Sequence, residues 1–225
     1  MSIEHLLGKV HNCDCLEFMK QLPDNCVDLV LTDMPYNEVN REDNGLRNLD
    51  KGMADIFSGN LRVLAGELAR ISRGSVYIFC GIEQVSELRK IFNQGGLSTR
   101  HCIWEKTNPS PMNGQHLWLS SIENCIYAKH PNATFNESCK GAVWRNPCGT
   151  SKEHPTQKPF ELFQYLTQTS SNAGMVVFDP FMGSGTTAVA CERLGRKWFG
   201  CELESKYCEI ANKRIEAERN QLKLF

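Results

Sequence analysis

An acid closing an apolar run, two glycines and a pair of threonines make Asp179-Pro180-Phe181-Met182-Gly183-Ser184-Gly185-Thr186-Thr187 the stretch of this chain best suited to hold a ligand. The glycines let the backbone come close to a bound molecule, and the helix start that follows offers unpaired N–H groups to a carboxylate or phosphate. A dinucleotide fingerprint, GxGxxG, is incomplete, because position 188 is Ala where the third glycine would stand. A nucleotide P-loop is excluded, since no Gly-Lys-Ser or Gly-Lys-Thr follows. The next apolar run ends at Glu202, 17 residues after Gly185, where an acid can accept hydrogen bonds from ribose hydroxyls. Strand, glycine turn, helix, strand and acid together describe a site for a ligand that contains a ribose.

A second candidate, Asp33-Met34-Pro35-Tyr36, stands directly after the apolar run 27–32. Pro35 restricts residue 34 to extended conformations, and a strand's C-terminal end is where doubly wound sheets present their ligands. The elements that must position both segments are readable as apolar runs. Strands are expected at 27–32, 75–80, 175–179 and 197–202, and amphipathic helices at 83–92, 159–169, 186–194 and 205–218. Their alternation predicts an α/β fold with a doubly wound, mostly parallel sheet. Residues 37–60 lack a periodic face and read as a long loop of the kind that covers active sites. The stretches 107–115 and 131–155, the latter with Trp144 and Arg145, read as irregular.

The chain of 225 residues suits one domain, 1–225. No apolar run approaches the roughly 18 to 20 residues that span a bilayer, and the N-terminus lacks a secretory pattern, so a cytoplasmic protein without a membrane role is expected. The eleven cysteines are scattered and form no CxxC pair. They read as reduced thiols rather than a metal site, with Cys13 and Cys15 on opposite faces of a strand. The net charge of −1 carries no nucleic-acid signature. Residues 100–160, however, hold seven Lys or Arg (Arg100, Lys106, Lys129, Lys140, Arg145, Lys152, Lys158) against four acids (Glu105, Glu123, Glu137, Glu153), a local surplus that hints at a phosphate-facing side.

Together the two segments resemble the motifs of the DNA amino-methyltransferases, whose catalytic tetrapeptide is Asp, Asn or Ser followed by Pro-Pro and an aromatic residue, and whose cofactor motif is Asp-Pro-Phe-x-Gly-Ser-Gly-Thr. Here the catalytic motif comes first, and His154-Pro155-Thr156-Gln157-Lys158-Pro159 stands just before the cofactor motif. That order looks like the circularly permuted beta class with its Rossmann-like methyltransferase topology. The similarity runs from Asn12-Cys13-Asp14 to the final helix and is strongest to small adenine methyltransferases of bacterial restriction–modification systems.

The resemblance implies S-adenosyl-L-methionine as cofactor, no metal, and DNA as partner. It assigns cofactor contacts to Asp179, Phe181, Gly183, Ser184, Gly185, Thr186, Thr187 and Glu202. Asp14 is expected to reach the cofactor's adenine, though it could equally cap a helix starting near Cys15, and Lys158 to lie near the methionine carboxylate. Asp33 and the backbone carbonyl of Met34 would accept hydrogen bonds from an exocyclic amino group, and Tyr36 would stack on an extruded base. Met34 replaces the family's usual proline, which leaves room for a catalytically silent partner subunit. Target recognition is expected within about 104–152, with Trp104, Lys106, Lys140, Arg145 and Lys152 as candidates and Trp144 equally readable as core. So short a region suggests either a short recognition sequence or a homodimer that shares the work. Asp33 favours adenine N6 over cytosine N4, for which Ser is usual. RNA or a protein glutamine are alternative substrates that the motif order disfavours, and a nicotinamide-dependent oxidoreductase lacks its fingerprint.

Overall fold

The structure is a computed structural model that describes residues 2–35, 59–111, 114–149 and 158–223. Among these, eight strands and six α-helices alternate along the chain: β1 (Val10–Asn12), α1 (Cys15–Met19), β2 (Val27–Asp33), α2 (Leu61–Ile71), β3 (Ser72–Cys80), α3 (Val85–Gln94), β4 (Ser98–Lys106), β5 (Ile122–Lys129), β6 (Val143–Asn146), α4 (Phe160–Ser170), β7 (Val176–Asp179), α5 (Thr186–Leu194), β8 (Lys197–Glu202) and α6 (Ser205–Leu222). They form one sheet in the order β1-β8-β7-β2-β3-β5-β4-β6, in which β5 runs antiparallel to β3 and β4 and the other pairings are parallel.

The expected α/β sheet is present, and the four strands expected from sequence are its four adjacent central ones, β8, β7, β2 and β3. Covered on both faces, they read as continuous apolar runs. Their side chains alternate between two cores. Val30, Val76, Ile78, Phe178 and Phe199 pack with Leu64 and Leu68 of α2 and Leu88 and Phe92 of α3. Leu29, Leu31, Tyr77, Phe79, Val177 and Trp198 pack on the other face with Leu162 and Phe163 of α4, Ala188 and Val189 of α5, and Ala211 and Ile215 of α6. Of the strands not anticipated, β5 lies inside the sheet between β3 and β4, and β1, β4 and β6 lie toward the margins. β4 and β6 alternate between exposed and covered positions, and β1 has three residues, so none presents a long apolar run. Two expectations are corrected. Residues 143–146, read as irregular, form an edge strand beside β4, and Cys13 and Cys15 do not share a strand, because Cys15 opens α1. All eleven cysteines are free thiols. Of the long loop read at 37–60, residues 37–58 lie outside the described residues; Asn60 caps α2, its side chain accepting from the amides of Arg62 (2.9 Å) and Val63 (3.4 Å).

From β2 the chain passes to β3 on one side, and from β7 to β8 on the other. Neighbouring strands whose connections leave in opposite directions open a crevice at their C-terminal ends. Asp33 ends β2 and Asp179 ends β7, so both candidate segments meet at this switch point.

The turn after β7 depends on Gly185, which starts α5 at φ +82°, where an added Cβ would lie 3.0 Å from the Cβ of Ala211 on α6. Gly195, at the other end of α5, has φ +68° with open space around it. Gly195→Ala should therefore lose only the left-handed penalty, about 1 to 2 kcal/mol, and Gly185→Ala clearly more, through the added clash. Urea unfolding midpoints compare the two; equal losses would show that α5 and α6 separate freely here.

Candidate active site

The carboxylate of Asp179 is 3% exposed and ties three elements together. Thr32 at the end of β2 donates to its Oδ1 at 2.7 Å, the amide of Phe181 to the same oxygen at 3.0 Å, and Thr187 in the first turn of α5 to its Oδ2 at 2.6 Å. Burial raises its pKa to about 6, against the lowering effect of these donors. Asp179 therefore organises the turn from beneath, with both oxygens engaged inside the protein.

Glu202 does the same from the neighbouring strand. Its Oε2 accepts from the Gly183 amide at 2.8 Å and its Oε1 from the Glu204 amide at 2.9 Å, while burial raises its pKa. Asn12 lies opposite Glu202 in the register and donates to the backbone oxygens of Glu202 (2.9 Å) and Leu203 (2.8 Å). Asp14 follows β1, exposed, and caps α1 by accepting from the Glu17 amide at 3.0 Å. Ser184 is held by Arg214 of α6, whose Nη1 donates to its Oγ at 2.7 Å. Sequence reasoning missed Arg214, which belongs to no motif. Gly183 and Gly185 both adopt positive φ, and no side-chain hydrogen bond caps α5. The start of that helix thus keeps the backbone donors that an anionic group needs.

Beside this cradle lies a row of charges. Asp33 Oδ2 is 2.6 Å from Lys158 Nζ; Lys158 is 3.0 Å from Glu123 Oε2; and Glu123 Oε1 is 2.9 Å from Lys106 Nζ. Lys158 is 7% exposed, over the rings of Phe79 (5.6 Å to the centroid) and Trp104 (6.0 Å). Burial alone would lower the Lys158 pKa, but Asp33 and Glu123 outweigh it and hold the pKa above the ordinary range. Burial would likewise raise Glu123; the ammonium groups of Lys158 and Lys106 instead bring it down to about 2. Glu123 and Lys158 are therefore both charged at neutral pH. Glu123 was not anticipated, its only signal being an acid near the start of the apolar run of β5.

Lys158 was expected beside the cofactor, and the structure pairs it with Asp33. Met34 is 1% exposed, its side chain in the α2–α3 core and its amide donating to the Phe79 carbonyl at 3.3 Å. Trp104, expected among the DNA-binding candidates, is 2% exposed, with Nε1 donating to the Asn146 carbonyl at 2.9 Å. Part of the positive surplus of 100–160 is internal, since Lys106 and Lys158 neutralise acids in the row, while Arg145 pairs with Glu105 at 2.9 Å on the surface. Lys140 remains exposed, on the rim of a cavity of about 270 Å³ that Arg100 and Trp144 also line. The span 104–152 is no separate module, because it contributes β5 and β6 to the sheet. Tyr36, Lys152 and His154 to Gln157 lie outside the described residues. Among the described residues no group of three His, Cys, Asp or Glu could hold a metal, and no helix is long and apolar enough to cross a membrane.

This sheet is that of solved methyltransferases. M1.HpyAVI in complex with SAM superposes with a TM-score of 0.71 at 25% identity, covering 92% of this chain and 98% of that one. The cytosine-N4-specific PvuII DNA methyltransferase, at 16% identity and TM-score 0.71 over 95% and 94% of the two chains, shares the fold. Residues 27–213 match the DNA methylase family, and the chain belongs to that N6/N4 DNA methylase family. Relatives include the type II methyltransferase M2.DpnII of Streptococcus pneumoniae, 27% identical over 93% of this chain and 89% of its own length. Another is the type II methyltransferase M.HpaI of Haemophilus parainfluenzae, 31% identical over 92% and 74%.

Two measurements check the electrostatics. Lys158→Met leaves two carboxylates without their shared ammonium and should cost about 3 to 5 kcal/mol in urea unfolding, part of which Glu123→Gln added to it should restore. For Asp179 the folded pKa of about 6 lies above its ordinary 3.8, so the folded state binds the proton first and gains stability as pH falls. Relative to Asp179→Asn, the native protein should gain about 3 kcal/mol between pH 7 and pH 3. A constant difference across that range would show that burial does not raise the carboxylate's pKa.

Proposed function

We propose that this chain transfers a methyl group from S-adenosyl-L-methionine to the exocyclic N6 of adenine in a specific DNA sequence, by extruding the base and presenting its nitrogen directly to the methyl group. The coarser activity follows from the family: the chain is a DNA amino-methyltransferase of restriction–modification type, and its cofactor is S-adenosyl-L-methionine. The observation that carries the proposal is the placement of Asp33 and the glycine turn on adjacent strand ends, joined by the 2.7 Å hydrogen bond from Thr32 to Asp179. An acceptor for the amino group and a cradle for the methyl donor are thereby held side by side.

The backbone donors at the start of α5 suit the cofactor's carboxylate; Glu202 at the end of β8 and Asp14 at the start of α1 suit its ribose and adenine. When bound, the cofactor supplies an electrophilic methyl on sulfur. The amino nitrogen is a poor nucleophile because its lone pair is delocalised into the ring. Asp33 and the Met34 carbonyl accept hydrogen bonds from its two N–H groups and draw the nitrogen toward tetrahedral geometry, localising the lone pair on it. Lys158 fixes one oxygen of Asp33, a role we assign in place of the expected contact with methionine. Burial of the Met34 side chain anchors that carbonyl where the family uses proline. Tyr36 offers the extruded base a stacking face. Holding the reacting atoms in line supplies on the order of 7 to 11 kcal/mol. Asp33, where Ser would suit cytosine, is the feature that favours adenine. The order of the segments is that of the permuted beta class, in a single domain whose recognition elements lie on the loops within about 104–152, acting alone or in a homodimer.

Labelled methyl transfer to unmethylated genomic DNA, followed by nucleoside mass spectrometry, should yield N6-methyladenine. Asp33→Ala should reduce the rate by on the order of 100- to 1,000-fold, as loss of a preorganised polar partner does elsewhere. N4-methylcytosine would overturn the assignment of the base, and cofactor binding without transfer to any DNA would overturn the enzymatic reading in favour of a silent partner subunit.

A further inference from the structure

The connection between β4 and β5 carries large apolar side chains into solvent. Trp118 is 100% exposed, Leu117 69% and Leu119 39%, with Ile122 at the start of β5 51% exposed. A contiguous apolar cluster of this kind on a protein surface marks a place of interaction. Its location narrows the partner. The Lys106 amide donates to the Ser121 carbonyl at 2.7 Å and the Ser121 amide to the Leu119 carbonyl at 2.8 Å, so the base of the connection is closed on the last residue of β4. Lys106 and Glu123, on either side of that closure, begin the row of charges that runs through Lys158 to Asp33. The connection that carries Trp118 is therefore anchored at the outer end of the charge row whose inner end is the acceptor carboxylate. Residues 107–121 contain no Asp or Glu, so the connection itself has no charge that would repel a polyanion.

We propose that Trp118, flanked by Leu117 and Leu119, is the wedge that enters the duplex beside the target base and stacks in the gap that extrusion leaves. The inference rests on the base-methylation reading above. Extruding a base costs a few kcal/mol of lost pairing and stacking. Apolar side chains inserted between base steps hold such openings, and an indole face replaces part of the lost stacking. Trp118 is thus a positioning residue, acting on the DNA, while Asp33 acts on the base.

The test uses duplexes built around a position that the native protein methylates in genomic DNA, with the target base either paired or opposite an abasic site. Trp118→Ala should lower kcat/KM on the paired duplex by about 10-fold or more, the value of one aromatic–base stack, and by less than about 3-fold on the abasic one, where extrusion is already easy. Trp118→Phe should recover part of the loss, and the unfolding midpoint should not move. Equal losses on both duplexes, or none on either, would overturn the wedge. Sedimentation of the DNA-free protein provides a further arm: a dimer that Trp118→Ala converts to monomer would assign the patch to a second copy of this chain and overturn it likewise. If the native protein methylates no DNA at all, the underlying reading fails first and the wedge falls with it.

Discussion

The carboxylate of Asp179 is closed off from water, and donors from the end of β2, from the glycine turn and from the first turn of α5 converge on it. Each donor belongs to a different part of the site. Thr32 immediately precedes Asp33; Phe181 precedes the glycines; Thr187 lies in the first turn of α5. Parallel strands are held together by main-chain hydrogen bonds alone only up to their last paired residues, and Leu29 and Val30 are the residues of β2 in register with β7. Beyond that point the side chain of Asp179 takes over. A buried carboxylate is costly unless its lone pairs are used, and here using them defines the distance between an acceptor group and a ligand cradle.

The row Asp33, Lys158, Glu123 and Lys106 follows a different logic. Two acids and two bases alternate, so the group adds no net charge to a half-buried region, and each charge meets a partner within 3.0 Å. Burying ion pairs contributes little net stability compared with apolar packing, yet the arrangement fixes the ionisation of its two inner members. Glu123 is kept a carboxylate and Lys158 an ammonium by their mutual fields. The aromatic faces of Phe79 and Trp104 complete the surroundings of Lys158. The consequence for chemistry is that one oxygen of Asp33 has a fixed neighbour, the Lys158 ammonium.

Glu202 and Arg214 extend the same principle behind the glycine turn. Gly183 and Gly185 give the backbone the positive φ it needs, but conformational freedom is not placement. Glu202 holds the Gly183 amide and Arg214 holds Ser184, so the turn is braced by β8 and α6, elements that follow it in the chain.

Much of this was legible in the residues alone. The strands buried on both faces announce themselves as apolar runs, which is why β2, β3, β7 and β8 were readable and why Asp33 and Asp179 could be placed at strand ends; the glycine turn followed from backbone sterics, a local property. The marginal strands β1, β4 and β6 were not legible, because a strand with one side at the surface loses the apolar signal. Nor were the partners of charged side chains. Sequence shows that Lys158, Glu123 and Lys106 are charged, and counted together they suggested a basic surface; only the approach of β2, β4, β5 and the segment before α4 turned them into an internal row. Trp104 and Trp118 are identical in composition, yet one is buried and the other fully exposed. Local chemistry and periodicity are written along the chain, whereas the pairing of groups distant in sequence is decided only when the sheet brings their strands together.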